Sequence, residues 1–208
     1  VLEPMLAQQS ELWEREIVPA LREAGVHILS YKDLSSEDKA DLRDYFYREV
    51  YPVLTPLAFN PSHPFPFISN LSLNLAVILK HPTSGKENFA RIKVPTDLFS
   101  RLIPVPAGSR VTDGRNDTRL VFLEEFIAAN LELLFPGYLE EGAFPFRVTR
   151  DADLEIEEDE ASDLLTVVEE GIGMRRVGSP VRVEVAQEMP LPACGIIGKK
   201  LGIAADMF

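Results

Sequence analysis

Arginines that stand in pairs are the residues of this 208-residue chain whose type and spacing best suit a chemical role. Arg147 and Arg150 lie three residues apart around the end of a predicted strand, and Arg175 and Arg176 end a predicted helix. A planar guanidinium group donates two parallel hydrogen bonds to phosphate, so these four residues are our phosphate-contact candidates. Surface ion pairing with the acidic stretch at 151–170 explains the same arginines without a ligand, and this alternative stays open.

Motifs for phosphate loops, metals and covalent catalysis are incomplete in this sequence. The run Gly195–Lys200 has glycines and a lysine in the manner of a Walker loop, but residue 193 is alanine and residue 200 is neither Ser nor Thr. The three histidines lie far apart without the spacing of metal ligands, and no nucleophile motif accompanies Cys194. We therefore predict no catalytic residue and no metal site in this chain.

The charge distribution bears on the partners of the chain. Its formal net charge is −12, which argues against a nucleic-acid module because such modules carry a basic face. Ten of the acids fall within residues 151–170, where no Lys or Arg occurs, and the rest of the chain is close to neutral. A basic surface that faces a polyanion therefore remains compatible with the total charge.

Cysteine content and hydropathy indicate a cytoplasmic protein. The single Cys194 can form no intrachain disulfide, which fits a reducing compartment. No apolar run reaches the roughly 18 residues of a membrane span, so no transmembrane helix is expected, and peripheral attachment to a membrane stays open. The chain starts without a Met just before a predicted helix, and we expect it to be a piece of a longer protein.

Hydrophobic periodicity predicts helices and strands in irregular alternation. A helix over residues 5–24 is interrupted at Pro19 and stopped by Gly25. A capping pair, Ser35 with Asp38, starts a second helix. Further helices are predicted at 123–134, across 164–176 and from residue 192, and strands at 26–29, 71–79, 89–94, 102–105, 119–123, 144–149 and 181–185. This order predicts an α+β fold, a mostly antiparallel sheet backed by helices and preceded by an N-terminal helix.

A proline-rich connection leads into the most regular of these strands. Prolines at 52, 56, 61, 64 and 66 favour extended backbone and exclude a helix. From residue 71 to 79 every second residue is Leu or Val, and Asn70, Ser72 and Asn74 are predicted to face the opposite side. We interpret this stretch as structural core, while a binding role for Ser69, Asn70 or Asn74 stays open.

Three segments carry a family resemblance. They are T-P-L-A-F-N-P-S-H-P-F-P-F-I-S-N-L-S-L-N-L-A-V at residues 55–77, F-R-V-T-R-D-A-D-L-E-I at 146–156 and P-V-R-V-E-V at 180–185. In this order they resemble the front part of bacterial polyphosphate kinase, the ATP-polyphosphate phosphotransferase. The long first segment is the most specific of the three, and the resemblance covers nearly all of the chain.

The resemblance implies a parent enzyme that reversibly transfers the terminal phosphoryl group of ATP to polyphosphate through a phosphohistidine, with magnesium. In that family the phosphorylated histidine and its arginine partners belong to two C-terminal domains. The resemblance therefore implies no catalytic role for any histidine here, and this piece alone is expected to be inactive. ATP and polyphosphate are the implied partners of the parent enzyme, and no cofactor is expected on this piece.

The resemblance also implies a domain assignment. Residues 1–25 are the end of the N-terminal helical domain and residues 26–208 are the head, or middle, domain, with the C-terminal catalytic domains absent. The head domain of the family takes part in dimer contacts. We therefore expect this piece to serve assembly, dimerisation and tunnel scaffolding, with weak self-association. The alternative is a stand-alone protein-interaction module without enzymatic activity.

Overall fold

The computed structural model describes residues 2–59, 66–106, 117–151 and 178–203. The chain divides into two compact units, each built from two segments. The first unit combines Val1–Leu54 with Pro95–Leu134, and the second combines Thr55–Val94 with Phe135–Phe208. The predicted division at residue 25 concerns domains of a longer protein and stays a prediction.

The described part of the chain contains eight strands and six α-helices. The strands are β1 Val26–Leu29, β2 Leu57–Phe59, β3 Leu73–Lys80, β4 Glu87–Lys93, β5 Leu102–Pro104, β6 Thr118–Phe122, β7 Leu139–Arg150 and β8 Pro180–Val185. The helices are α1 Leu2–Leu12, α2 Val18–Glu23, α3 Ser36–Tyr45, α4 Leu123–Ala128, α5 Leu131–Leu134 and α6 Leu191–Leu201. This composition, with an N-terminal helix in first place, confirms the predicted α+β class.

The strands form one sheet in each unit. In the first unit the order is β1-β6-β5, with β1 parallel and β5 antiparallel to β6. In the second unit the order is β2-β4-β3-β7-β8, and every neighbouring pair is antiparallel. The predicted hairpin of β3 and β4 is present, as is the antiparallel dominance of the sheets.

The N-terminal helix is a continuous helical run with a wider turn in its middle. A π-helical turn at Trp13–Ile17 joins α1 to α2. Pro19 lies in the first turn of α2, directly after the π-helical turn. The missing N–H of proline is tolerated at the start of an α-helix. Gly25 ends the run with a φ of +81°, a conformation that glycine adopts without strain. The predicted interruption and the predicted stop are both confirmed.

Side-chain hydrogen bonds set the limits of the other helices in the first unit. Ser35 Oγ accepts the N–H of Asp38 at 3.1 Å and donates to its carboxylate at 2.8 Å, so the predicted cap of α3 is confirmed. The single helix predicted at 123–134 is wrong, because it is divided into α4 and α5. At the break, the Asn130 side chain donates to the Phe126 carbonyl oxygen at 2.9 Å, competing with the helical backbone.

Apolar residues on the five-stranded sheet and on α6 form the core of the second unit. The buried members are Ile68, Ala76, Phe89, Phe146, Val148, Val183, Met189, Ala193, Ile197 and Ile203. Gly202 ends α6 with a φ of +69°. The weak last helix predicted from residue 192 is thus stabilised by burying one face against this sheet.

Strand β3 departs in two respects from the predicted alternation. Leu75 and Val77 are fully buried as predicted, but Leu71 precedes the strand with a φ of +57° and is 59% exposed. Asn74 lies on the opposite face from Leu75, yet it too is fully buried. Both faces of β3 are therefore buried. The alternating pattern did not predict this, because it identifies the apolar face and says nothing of what covers the polar one.

Candidate functional site

The predicted phosphate-contact arginines fall partly within the described residues. Arg147 and Arg150 lie on β7, in the second unit. Arg175 and Arg176 lie outside the described residues, as does most of the acidic stretch, so their phosphate role and the ion-pair alternative stay predictions. The candidate site is therefore built from β7 and its neighbouring strands.

Arg150 is a structural cross-link. Its Nε donates to the carbonyl oxygen of Ile68 at 2.8 Å, and its Nη1 donates to that of Gly178 at 2.9 Å. The guanidinium lies over the ring of Phe67, with Cζ 4.7 Å from the centroid, and the backbone N–H donates to Asn70 Oδ1 at 2.8 Å. Burial lowers the pKa of Arg150, although a guanidinium remains charged throughout the physiological range. These contacts fix the residues before β3 to the end of β7.

Arg147 has very different surroundings. The strand register places it between Leu73 on β3 and Glu184 on β8, so the three side chains share one face of the sheet. It borders a shallow cavity of about 210 Å³ whose lining residues are Leu73, Pro145, Phe146, Arg147, Glu184, Val185 and Ala186. Its Nε is buried without a hydrogen-bond partner among the described residues. A buried donor left unsatisfied costs roughly 1–3 kcal/mol, so this atom is placed for a partner that the described residues do not supply.

The carboxylate that lines this cavity is already engaged. Arg182 Nη2 donates to Oε1 of Glu184 at 2.9 Å. Arg147, Arg182 and Glu184, the described charged side chains on this part of β7 and β8, together carry one net positive charge. Such a balance favours the approach of an anion.

A buried arginine that the sequence analysis did not single out lies on β4. Arg91 is 7% exposed, and its Nε donates to Oδ1 of Asn74 at 2.7 Å. Asn74 in turn donates to the carbonyl oxygen and the hydroxyl of Ser72 at 2.8 and 3.1 Å, and the Ser72 hydroxyl donates to the Ser69 carbonyl at 2.8 Å. Burial lowers the pKa of Arg91, because desolvation disfavours its charged form. The sequence signal that could have found Arg91 is a cation in the middle of the largely apolar strand predicted at residues 89–94.

Two of the three side chains that the sequence left open for binding, Asn70 and Asn74, thus have internal partners. Asn74 and Ser72 support Arg91, and Asn70 holds the backbone of Arg150. Such networks keep buried polar groups satisfied and fix a single arrangement of the strands.

The described histidines and the cysteine have surroundings typical of structural residues. His27 Nε2 lies 3.3 Å from Oδ2 of Asp117, and the ring of His81 packs edge-on against Tyr138. Cys194 is a free, partly buried thiol, and the Walker-like run around it lies inside α6, so it forms no phosphate-binding loop. Within the described ranges, no three His, Cys, Asp or Glu side chains lie close enough together to hold a metal ion. Among those same residues, no helix combines the length and apolar character that crossing a membrane requires.

The fold of this chain is that of a known protein family. A family model described as the polyphosphate kinase middle domain matches residues 37–208. The chain therefore belongs to the polyphosphate kinase family, as its middle domain, which confirms the resemblance carried by the three sequence segments.

Individual relatives agree with this assignment. A polyphosphate kinase of Aphanizomenon baltica is 46% identical over 192 residues, which cover 91% of this chain and 49% of that protein. One of Mycobacterium tuberculosis (strain ATCC 25177 / H37Ra) is 44% identical over 189 residues, covering 89% of this chain and 26% of that protein. The crystal structure of polyphosphate kinase from Porphyromonas gingivalis matches with a TM-score of 0.74 at 26% identity, over 95% of this chain and 27% of that chain. The chain thus spans between about a quarter and a half of the length of these relatives.

Proposed function

We propose that this chain is the middle part of a longer polyphosphate kinase that transfers the terminal phosphoryl group of ATP to polyphosphate, and back, through a phosphohistidine. The observation that carries the proposal is the match of residues 37–208 to the middle domain of that family. The parent enzyme would use ATP and magnesium, as phosphoryl transfer between polyanions requires charge neutralisation. It would work in the cytoplasm, where a free thiol such as Cys194 stays reduced.

Within that enzyme, this part serves assembly and scaffolding rather than bond making. Neither described histidine is poised as a nucleophile, because His27 lies beside an exposed carboxylate and His81 accepts hydrogen bonds from the backbone of its own turn. The described residues also lack the carboxylate set that would hold magnesium. The five-stranded sheet, α6 and the Arg150 cross-link form a firm framework on which other parts of the enzyme can dock. Residues 26–208 would form the head domain, with residues 1–25 as the end of the preceding helical domain.

The test compares this chain with the full product of the same gene. With γ-labelled ATP and magnesium, we expect the full product to retain acid-labile label and to form polyphosphate, and this chain alone to do neither. Acid-labile label retained on this chain would contradict the scaffolding role. A folded full product that takes up no label and forms no polyphosphate would contradict the proposed activity and favour a stand-alone interaction module.

A further inference from the structure

We infer that the cavity beside Arg147 is a phosphoanion subsite, in which this guanidinium binds one phosphoryl group of a polyphosphate chain or of a nucleotide. The placement of the site rests on the geometry of β3, β7 and β8. The identity of the anion rests on the proposed function.

The hydrogen-bonding state of Arg147 distinguishes it from the other described arginines of the second unit. Arg91 and Arg150 already donate to oxygen atoms of the protein, and Arg182 is paired with Glu184. Arg147, by contrast, has a buried Nε with no partner among the described residues, at the wall of a cavity. A buried donor without a partner is rare in folded proteins, and a site for a bound ion is one of its standard explanations.

The size of the cavity fits a charged group better than a whole small molecule. Its volume is about 210 Å³. Typical sites for entire small molecules occupy roughly 300–1,000 Å³. A phosphoryl group at the end of a longer ligand, or within a chain that continues across the surface, matches this dimension.

The local charges favour an anion despite the presence of a carboxylate. Arg182 pairs with Glu184, so among the described residues an entering anion meets a guanidinium whose Nε has no partner. Leu73 and Val185 contribute apolar walls, which weaken dielectric screening and strengthen the attraction. Arginine presents two donors in one plane, the arrangement that matches two oxygens of a phosphoryl group.

The position on β7 also holds the site ready before a ligand arrives. Arg147 lies in the middle of three paired strands, and Arg150 fixes the end of β7 three residues later. Little conformational freedom of the backbone would therefore be lost on binding, which favours affinity for a small anion.

The experiment follows the Nε–H resonance of Arg147 in the nitrogen-15-labelled chain, assigned through its loss in Arg147→Lys. The probes are short-chain polyphosphate, ATP without magnesium and inorganic phosphate, at matched ionic strength. We expect a saturable shift with polyphosphate or ATP, and the tighter of the two identifies the source of the phosphoryl group. Arg147→Gln should weaken that binding by about ten- to a hundredfold, the range for hydrogen bonds to a charged group. Glu184→Gln should tighten it.

The matched control is Arg22→Gln, which removes the same charge from an exposed helix position in the first unit. We expect this variant to bind like the unmodified chain. Equal losses in Arg147→Gln and Arg22→Gln, or an Arg147 resonance that fails to move or never saturates, would overturn the subsite. The unmodified chain decides the question even if Arg147→Gln does not fold. Either negative result leaves the proposed function intact, because that function is read from phosphoryl transfer by the full gene product.

Discussion

The described arginines have different partners in the two units. In the first unit, four of the six described arginines, at positions 15, 43, 101 and 119, have carboxylate partners. In the second unit, Arg182 is the described arginine with a carboxylate partner, whereas Arg91 and Arg150 donate to uncharged oxygens and Arg147 Nε has no described partner. Most described arginines of the first unit are thus paired with carboxylates. Most described arginines of the second unit are not, which is the arrangement that an anion subsite at Arg147 would need.

The contrast is sharpest between Arg119 and Arg147, since each arginine lies on a strand. Arg119 makes two hydrogen bonds to Asp38, at 2.9 and 2.6 Å, and Asp38 is only 5% exposed. The hydrogen bond from Arg119 is the largest cause that lowers the pKa of Asp38 to about 2. A charge that is satisfied within the protein stabilises the fold, while one left unsatisfied can select a ligand. The following predictions test this difference, from the largest expected effect to the smallest.

The largest effect should come from the apolar core of the second unit. Leu75→Ala removes a fully buried side chain from β3 and should lower the free energy of unfolding by roughly 2–5 kcal/mol, the range for a truncated buried leucine. Leu71→Ala is the matched control, because Leu71 is 59% exposed, and it should change stability by less than about 0.5 kcal/mol. Denaturant midpoints measure both variants. A midpoint unchanged in Leu75→Ala would show that this face of β3 is not core.

The ion pair of the first unit should give the next largest effect, and one that depends on pH. The pKa of Asp38 falls from 3.8 to about 2 on folding, which corresponds to about 2 kcal/mol at 1.36 kcal/mol per pKa unit. Because the folded pKa is lowered, this stability is present above the unfolded pKa and is lost as pH falls from about 4 through 2. Asp38→Asn should therefore be destabilising by about 2 kcal/mol at pH 7 and by much less at pH 2.

The control for this pair is Asp41→Asn, an exposed position on the same helix, which should have little effect at either pH. Chemical unfolding of both variants at the two pH values supplies the comparison. A cost for Asp38→Asn that stays constant from pH 7 to pH 2 would contradict the assignment of this stability to the carboxylate.

A smaller effect should separate Arg150 from an ordinary surface ion pair. Arg150→Lys loses the planar arrangement that reaches two carbonyl oxygens, so we expect a loss of about 1–2 kcal/mol that is insensitive to salt. Arg43→Lys alters an exposed ion pair with Glu132, and its cost should stay below about 1 kcal/mol and shrink as salt is added. Unfolding measured at two salt concentrations tests both. A strong salt dependence for Arg150→Lys would show that charge, rather than carbonyl bonding, holds this residue.

The smallest effect concerns self-association. Phe67 and Leu71 expose apolar surface in the second unit, whereas the side chains of Phe59 and Phe65 lie outside the described part. The repulsion between two chains of charge −12 opposes association. Salt at 0.1 M reduces the range of this repulsion to about 10 Å. We therefore expect a weak dimer that is tighter at moderate salt than in dilute buffer. Sedimentation equilibrium over a concentration series would refute this with a strict monomer at high micromolar concentration in both buffers.

The features that the sequence predicted well have causes within a few residues. The cap of α3 needs Ser35 and Asp38, and the turn between β3 and β4 closes where the His81 N–H donates to the Lys86 carbonyl at 2.9 Å. Gly25 stops the N-terminal helix because its own φ is positive. The sequence did not predict that the helix after β6 is divided into α4 and α5. The spacing of the apolar residues on either side of Asn130 is compatible with one helix or with two.

By itself the sequence determined the α+β class, the family and the location of Arg147 and Arg150 around the end of one strand. The sequence could not distinguish the roles of these two arginines, because both lie in the same short segment, F-R-V-T-R at residues 146–150, and have the same side chain. Tertiary structure made that distinction, through the pairing of β7 with β3 and β8, which brings Leu73 and Glu184 beside Arg147 and the carbonyls of Ile68 and Gly178 to Arg150. Those partners are far from the arginines in the chain, so no local spacing encodes them. Long-range strand register decides which charge is satisfied and which is left for a ligand.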